Sequence, residues 1–306
     1  MGIVEAIILT VITAATPLLI AATGELVSER AGVLNLGVEG MMVMGAVGAF
    51  GTAYLTDSPY LGVVAGIVTG VLFALPFAFL TITLVANQVA TGLALTIFGL
   101  GLSGVIGEAF VGQPGVALEP IPMPALSELP YIGRILFGHD IVVYVAFILI
   151  IAVWYFLFKS RAGLSLRAVG DSPESAHSLG ISVKKVRYAA VLFGGGCAGL
   201  AGGYLSLVYT PQWTEAMTAG RGWIAIVLVV FATWMPGRLV AGAYLFGAIL
   251  ILQLHAQAAG VKIPSQLLSS LPYLATIIVL VIISRNRSLV KKNAPASLGK
   301  PFVPDI

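Results

Sequence analysis

Long apolar runs decide most of what this chain can fold into. The stretch IVVYVAFILIIAVWYFLF, residues 141–158, carries no charge at all. A bilayer's hydrocarbon core is about 30 Å thick, and a helix needs about 20 mostly apolar residues to cross it. Lipid offers backbone amides no partner, so only helices or closed barrels span it. These runs are unbroken rather than alternating, which selects helices. Hydrophobic residues make up 58% of the 306, and charged residues only 9%, where a soluble domain carries about 25%. The expected fold is therefore all-α, a polytopic transmembrane helix bundle forming one domain over 1–306.

Nine candidate spans are expected, over 3–23, 33–54, 60–85, 89–110, 141–158, 188–209, 223–235, 239–256 and 271–284. The seventh and ninth are short. Orientation follows from basic residues, which favour the cytoplasmic side. The 159–187 loop carries Lys159, Arg161, Arg167, Lys184, Lys185 and Arg187. The tail, 285–306, carries Arg285, Arg287, Lys291, Lys292 and Lys300. Four spans separate loop from tail, so both fall on one side. This puts the C-terminus in the cytoplasm, the N-terminus outside and the 24–32 turn inside. The 111–140 loop then lies outside, with Glu119, Glu128 and Asp140 against Arg134, and with prolines 114, 120, 122, 124 and 130 that suit a non-helical cap. Glu5 stands where the basic region of a signal peptide would be, so no cleaved leader is expected.

Between the first two apolar runs lies GELVSERAGVLNLGVEGMMVMG, residues 24–45. Ionisable groups at membrane depth are costly and normally face protein, a cavity or water. The topology leaves Glu25, Glu29 and Arg30 at a cytoplasmic turn. Asn35 and Glu39 enter the second span, four residues apart and so on one helix face. They are candidates for a solute pathway, or for a hydrogen-bonded pair that holds the bundle together. The aromatics Phe50, Tyr54 and Phe98 could stack on a planar solute or simply pack. Asn87-Gln88 reads as a cytoplasmic turn.

The cytoplasmic loop contains RAVGDSPESAHSLGI, residues 167–181. Ser172 suits an N-cap, Pro173 the first helical position and Glu174 the positive end of the dipole; Gly180 suits the stop. A short surface helix over 172–180 is expected, either tidying the loop or docking into a cytoplasmic partner. The run GGGCAGLAGG, 194–203, places Gly195, Gly199 and Gly203 at fourfold spacing, which favours close helix packing.

Other residues narrow the function by exclusion. No G-x-x-x-x-G-K-[ST] nucleotide loop occurs, and no G-x-S-x-G or H-E-x-x-H. The single cysteine, Cys197, excludes an intrachain disulfide. His139, His177 and His255 are scattered, so no metal site is expected. The net charge of +3 follows the topology and calls for no nucleic acid. Trp213, Glu215, Arg221 and Trp223 form an outer cluster, with the tryptophans as interfacial anchors.

Residues 24–46, 87–104, 164–207 and 219–250 together resemble the permease subunits of bacterial nucleoside ABC importers, within the branched-chain amino acid and simple-sugar permease family. The resemblance runs along nearly the whole chain. It implies a companion permease, a cytoplasmic ABC ATPase, an extracytoplasmic solute-binding lipoprotein and a nucleoside as solute, in the plasma (inner) membrane of a bacterium or archaeon. It implies no cofactor on this chain, with ATP hydrolysed by the partner. It assigns Arg167, Asp171, Ser172, Pro173, Glu174, Ala176, Leu179 and Gly180 to the loop that couples to the ATPase. The chain looks like the shorter permease of such a pair. Two other classes compete: an ion-coupled secondary transporter using Glu39, and an intramembrane enzyme, for which no nucleophile–base pair is credible.

Overall fold

The apolar runs form helices of membrane-crossing length. The structure, a computed structural model, describes residues 3–121, 133–258, 264, 266–267, 270–284 and 293–303. Prolines 122, 124 and 130, Glu128, and the tail residues Arg285, Arg287, Lys291 and Lys292 lie outside the described residues. Helix α1 covers Ile3–Arg30 and α2 Val38–Thr56. Helix α3 covers Pro59–Ala78 and runs on as a π-helical turn to Thr83; α4 covers Gln88–Gly107. A short α5, Gly133–Phe137, precedes α6, Ile141–Lys159. Two helices follow off the bundle, α7 (Arg161–Asp171) and α8 (Pro173–Ser178). Helix α9 covers Val183–Tyr204, with a π turn to Tyr209. The last three are α10 (Arg221–Phe231), α11 (Pro236–Ala258) and α12 (Leu271–Ser284). No strand occurs among the described residues.

Seven of these helices are long and apolar enough to cross a membrane. The expected seventh and ninth spans are α10 and α12, of 11 and 14 residues. At 1.5 Å per residue, α10 is about 16 Å long, roughly half a bilayer core.

Helices α2 and α9 are the centre, with 78% and 83% of their spanning windows buried, against 28% for α4. They approach through glycine. A Cβ on Gly199 would lie 2.2 Å from the carbonyl oxygen of Gly66, and one on Gly45 would lie 2.4 Å from Gly199 Cα. Gly195 meets Ala74 and Gly70 of α3, and Gly203 meets Ala49 of α2. Backbone thus touches backbone along the α2–α3–α9 seam, where helices gain attraction by dispersion rather than by excluding water. Gly180, which follows α8, is at φ +82° and lies in the left-handed region that glycine tolerates.

Candidate functional site

Three helix breaks in the bundle are met by side chains from the segment that stood out in the sequence. Glu25, Glu29 and Arg30 are not at a solvated turn. Helix α1 continues to Arg30, and these residues are 1%, 0% and 8% exposed. The chain is non-helical over 31–37. Its amides need partners there, since irregular backbone at membrane depth survives only when buried in protein or facing water. Glu25 Oε1 accepts from Asn35 N (3.0 Å), and Gln88 Oε1 accepts from Leu34 N (2.8 Å). Asn35 Oδ1 accepts from Gly37 N (2.9 Å), and Thr96 Oγ1 donates to Leu36 O (3.0 Å). Gln88 and Thr96 are about two turns apart on α4, so the segment lies along that helix.

A second break, Ala232–Met235, joins α10 to α11, with Thr233 and Trp234 at φ 49° and 54°. Glu29 Oε2 accepts from Trp234 Nε1, and Arg30 donates to Trp234 O through Nε (3.2 Å) and Nη2 (2.7 Å). The third break is the start of α10. Glu39 Oε1 accepts from Thr218 Oγ1 (2.6 Å) and Gly220 N (2.8 Å), and Oε2 accepts from Gly222 N (2.6 Å). A carboxylate is thereby built into the positive end of α10, where the helix dipole favours it.

Asn35 and Glu39 do not share a helix face. Asn35 lies in the non-helical 31–37 segment and Glu39 in the first turn of α2, because the second span begins at Val38 and not at the expected 33. Trp213 is not an interfacial anchor. It is 1% exposed and packs on Gly107, where a Cβ would collide with its indole. Phe50 is buried in a cluster with Tyr54 (centroids 6.4 Å, stacked) and Phe110. Phe98 is 58% exposed and stacks on Phe73 at 5.8 Å.

Between Tyr209 and Arg221 the chain descends through the bundle without a helix. Trp213 sits at Gly107, and Thr218 binds Glu39, whose neighbour Gly40 packs on Leu95 and Thr96. From Gly107 to Leu95 is twelve residues of α4, about 18 Å. On that path Gln212, Thr214, Glu215, Ala216 and Ala219 are exposed. Glu215 lies beside Gly104, and Arg221 covers the Tyr209 ring at 5.1 Å. Irregular polar backbone does not face lipid. This face therefore meets another protein or a water-filled path. The glycines of α4 and the polar residues at 212–221 were the available signal for it.

The short helix α8 forms at the expected place. Ser172 Oγ accepts from Ser175 N (3.4 Å), Pro173 takes the first position, and Leu179 closes it. Leu179 is apolar and 81% exposed. Glu174 and Asp171 are exposed, Ala176 is buried, and Arg167 stacks on Phe158 at 5.2 Å.

Residues 7–283 match the family described as branched-chain amino acid transport system, permease component. A putative glucose ABC transporter permease of Haloferax volcanii is 43% identical over 95% of each chain. A nucleoside ABC transporter permease of Lactococcus lactis is 32% identical over 98% of this chain and 97% of its own. A guanosine ABC transporter permease of Bacillus subtilis is 32% identical over 94% and 93%.

Proposed function

The chain belongs to the branched-chain amino acid transport system permease family, and from that premise we propose that it forms half of the path by which an ATP-driven importer takes up a nucleoside. As a permease component it is a multi-pass inner-membrane transport subunit, and ATP hydrolysis belongs to a separate subunit. The other half comes from a companion permease, and a solute-binding lipoprotein delivers the solute from outside. In this reading the chain enters the membrane nine times, with its N-terminus outside and its C-terminus, α7 and α8 in the cytoplasm. Helix α8 transmits movement of the ATPase to the spans.

The observation that carries this reading is the exposed, non-helical 212–219 segment at membrane depth. It gives the protein a polar face that lipid cannot cover. Phe98, on the same helix as Gly104, is the aromatic surface available to a base, and Glu215 is the carboxylate available to ring hydroxyls. Phe50 is enclosed by Tyr54 and Phe110 and takes no part in that surface. A nucleoside and a guanosine permease among the relatives support the solute, and the putative glucose permease makes a sugar the competing solute. The ion-coupled alternative has less support, because both Glu39 oxygens are taken by donors of the 218–222 turn.

The test is ATPase activity of the assembled transporter with its binding lipoprotein. Stimulation by a nucleoside and not by glucose is expected. Stimulation by glucose alone overturns the solute, and stimulation by neither, with uptake by the lone chain following a proton or sodium gradient, overturns the importer.

A further inference from the structure

The described part of the C-terminal tail is wired into the coupling loop. Ser297 N and Oγ both donate to Gly170 O, at 2.9 and 2.7 Å. Gly170 has no room for a side chain, since a Cβ there would lie 2.1 Å from Arg30 O. Gly299 N donates to Gly32 O (3.2 Å), and Arg30 Nη1 donates to Asn293 O (3.0 Å). Arg187, on α9 and 2% exposed, ties three elements together. It donates through Nε to Ala31 O (3.2 Å), through Nη1 to Lys300 O (3.1 Å) and through Nη2 to Ser297 Oγ (3.3 Å). Beyond these, Phe302 is 7% exposed and closes a small apolar cluster with Val169, Ala176 and Val183. Its ring meets His177 edge-on at 5.6 Å.

A helix of six residues does not hold its own orientation; packing does that. Helix α8 buries Pro173 and Ala176. Ala176 rests on Phe302, and the tail behind Phe302 is bound to the end of α1. A groove of about 330 Å³ bordered by His177, Ile181, Val183, Lys184 and Phe302 opens beside this contact, so its loss leaves α8 room to shift.

We propose that residues 293–302 are a latch of the transport machinery: Ser297 and Phe302 are positioning residues that fasten α8 to the α1–α2 break, so that force on α8 reaches α1. The inference rests on the permease reading above. Reconstituted with companion permease, ATPase and binding lipoprotein, Phe302→Ala is expected to lower solute taken up per ATP hydrolysed about tenfold, within the usual range of coupling between sites. Phe302→Leu should restore the ratio, and complex assembly should be unchanged. If Phe302→Ala fails to accumulate, Ser297→Ala, which removes one hydroxyl, reads the same ratio. Ala176→Pro in α8 itself separates the two claims. If it uncouples while both tail variants keep the wild-type ratio, the latch is overturned and the permease reading stands. If none of the three changes the ratio, the coupling role of α8 fails and the latch with it.

Discussion

Glu39 shows how a residue chosen for one reason turns out to serve another. The sequence marks it as an ionisable group at membrane depth; the structure gives its carboxylate three donors from residues 218–222. Those partners are some 180 positions away, so no local pattern could reveal them. Glu39→Ala strands three donors, two of them buried, and is expected to lower the thermal midpoint of the purified protein, at about 1.5–3 kcal/mol for a bond to a charged group. Glu39→Gln retains one acceptor and should fall between. A midpoint unchanged in both would mean that the clasp contributes nothing. Asp140 gives a pH-dependent case. Its Oδ1 caps α6 by accepting from Val142 N (2.9 Å) and Val143 N (3.2 Å). Burial raises its carboxyl pKa above the usual range, and the backbone bonds oppose the rise. The folded state therefore binds this proton more tightly than the unfolded chain. The resulting stability is fully present below the ordinary carboxylate pKa and is lost as pH rises through the raised one. Asp140→Asn, which keeps an N-cap acceptor, should remove that decline from thermal midpoints measured across the acid range. A decline of the same size in the variant would refute it.

At the scale of elements, legibility divides by the range of the forces. Helix α8 was readable because its signals are local: Ser172, Pro173 and Gly180 cap, start and stop it within nine residues. Span existence was readable from apolar length. The ends of α1 and α2 were not, because the 31–37 break is fixed by Glu25, Gln88 and Thr96 from other positions in the bundle. The shortness of α10 was legible in its brief apolar run, but its start was not, since Glu39 sets it. The glycine seam was legible as a tendency, and its partners were not. Gly199→Ala forces Gly66 and Gly70 backbone apart and should abolish folded protein at the detergent-extraction step. Gly101, on α4, has nothing within 4 Å of an added Cβ. Gly101→Ala should therefore be extracted normally, and as a helix-interior change gain about 0.5–1 kcal/mol. Equal behaviour of the two variants would contradict the packing described for α2, α3 and α9.

For the whole molecule, composition pointed to a polytopic membrane protein, the missing nucleotide loop to one without its own ATPase and the resemblance to a permease, and the family match agrees. What the sequence could not place is the polar face at 212–219, since it exists only because α10 begins inside the bundle. Glu215→Gln is expected to reduce uptake several-fold, an amount comparable to one lost hydrogen bond, with membrane abundance unchanged; full uptake would remove Glu215 from the path. The central claim is that ATP hydrolysis by a partner reaches these spans through α8. Ala176 N donates to Ser172 O (3.0 Å), a bond proline cannot make. Uptake per ATP hydrolysed, measured in proteoliposomes holding the full complex with Ala176→Pro, tests it most directly. Hydrolysis that continues while uptake collapses is the expected result; an unchanged ratio would contradict it.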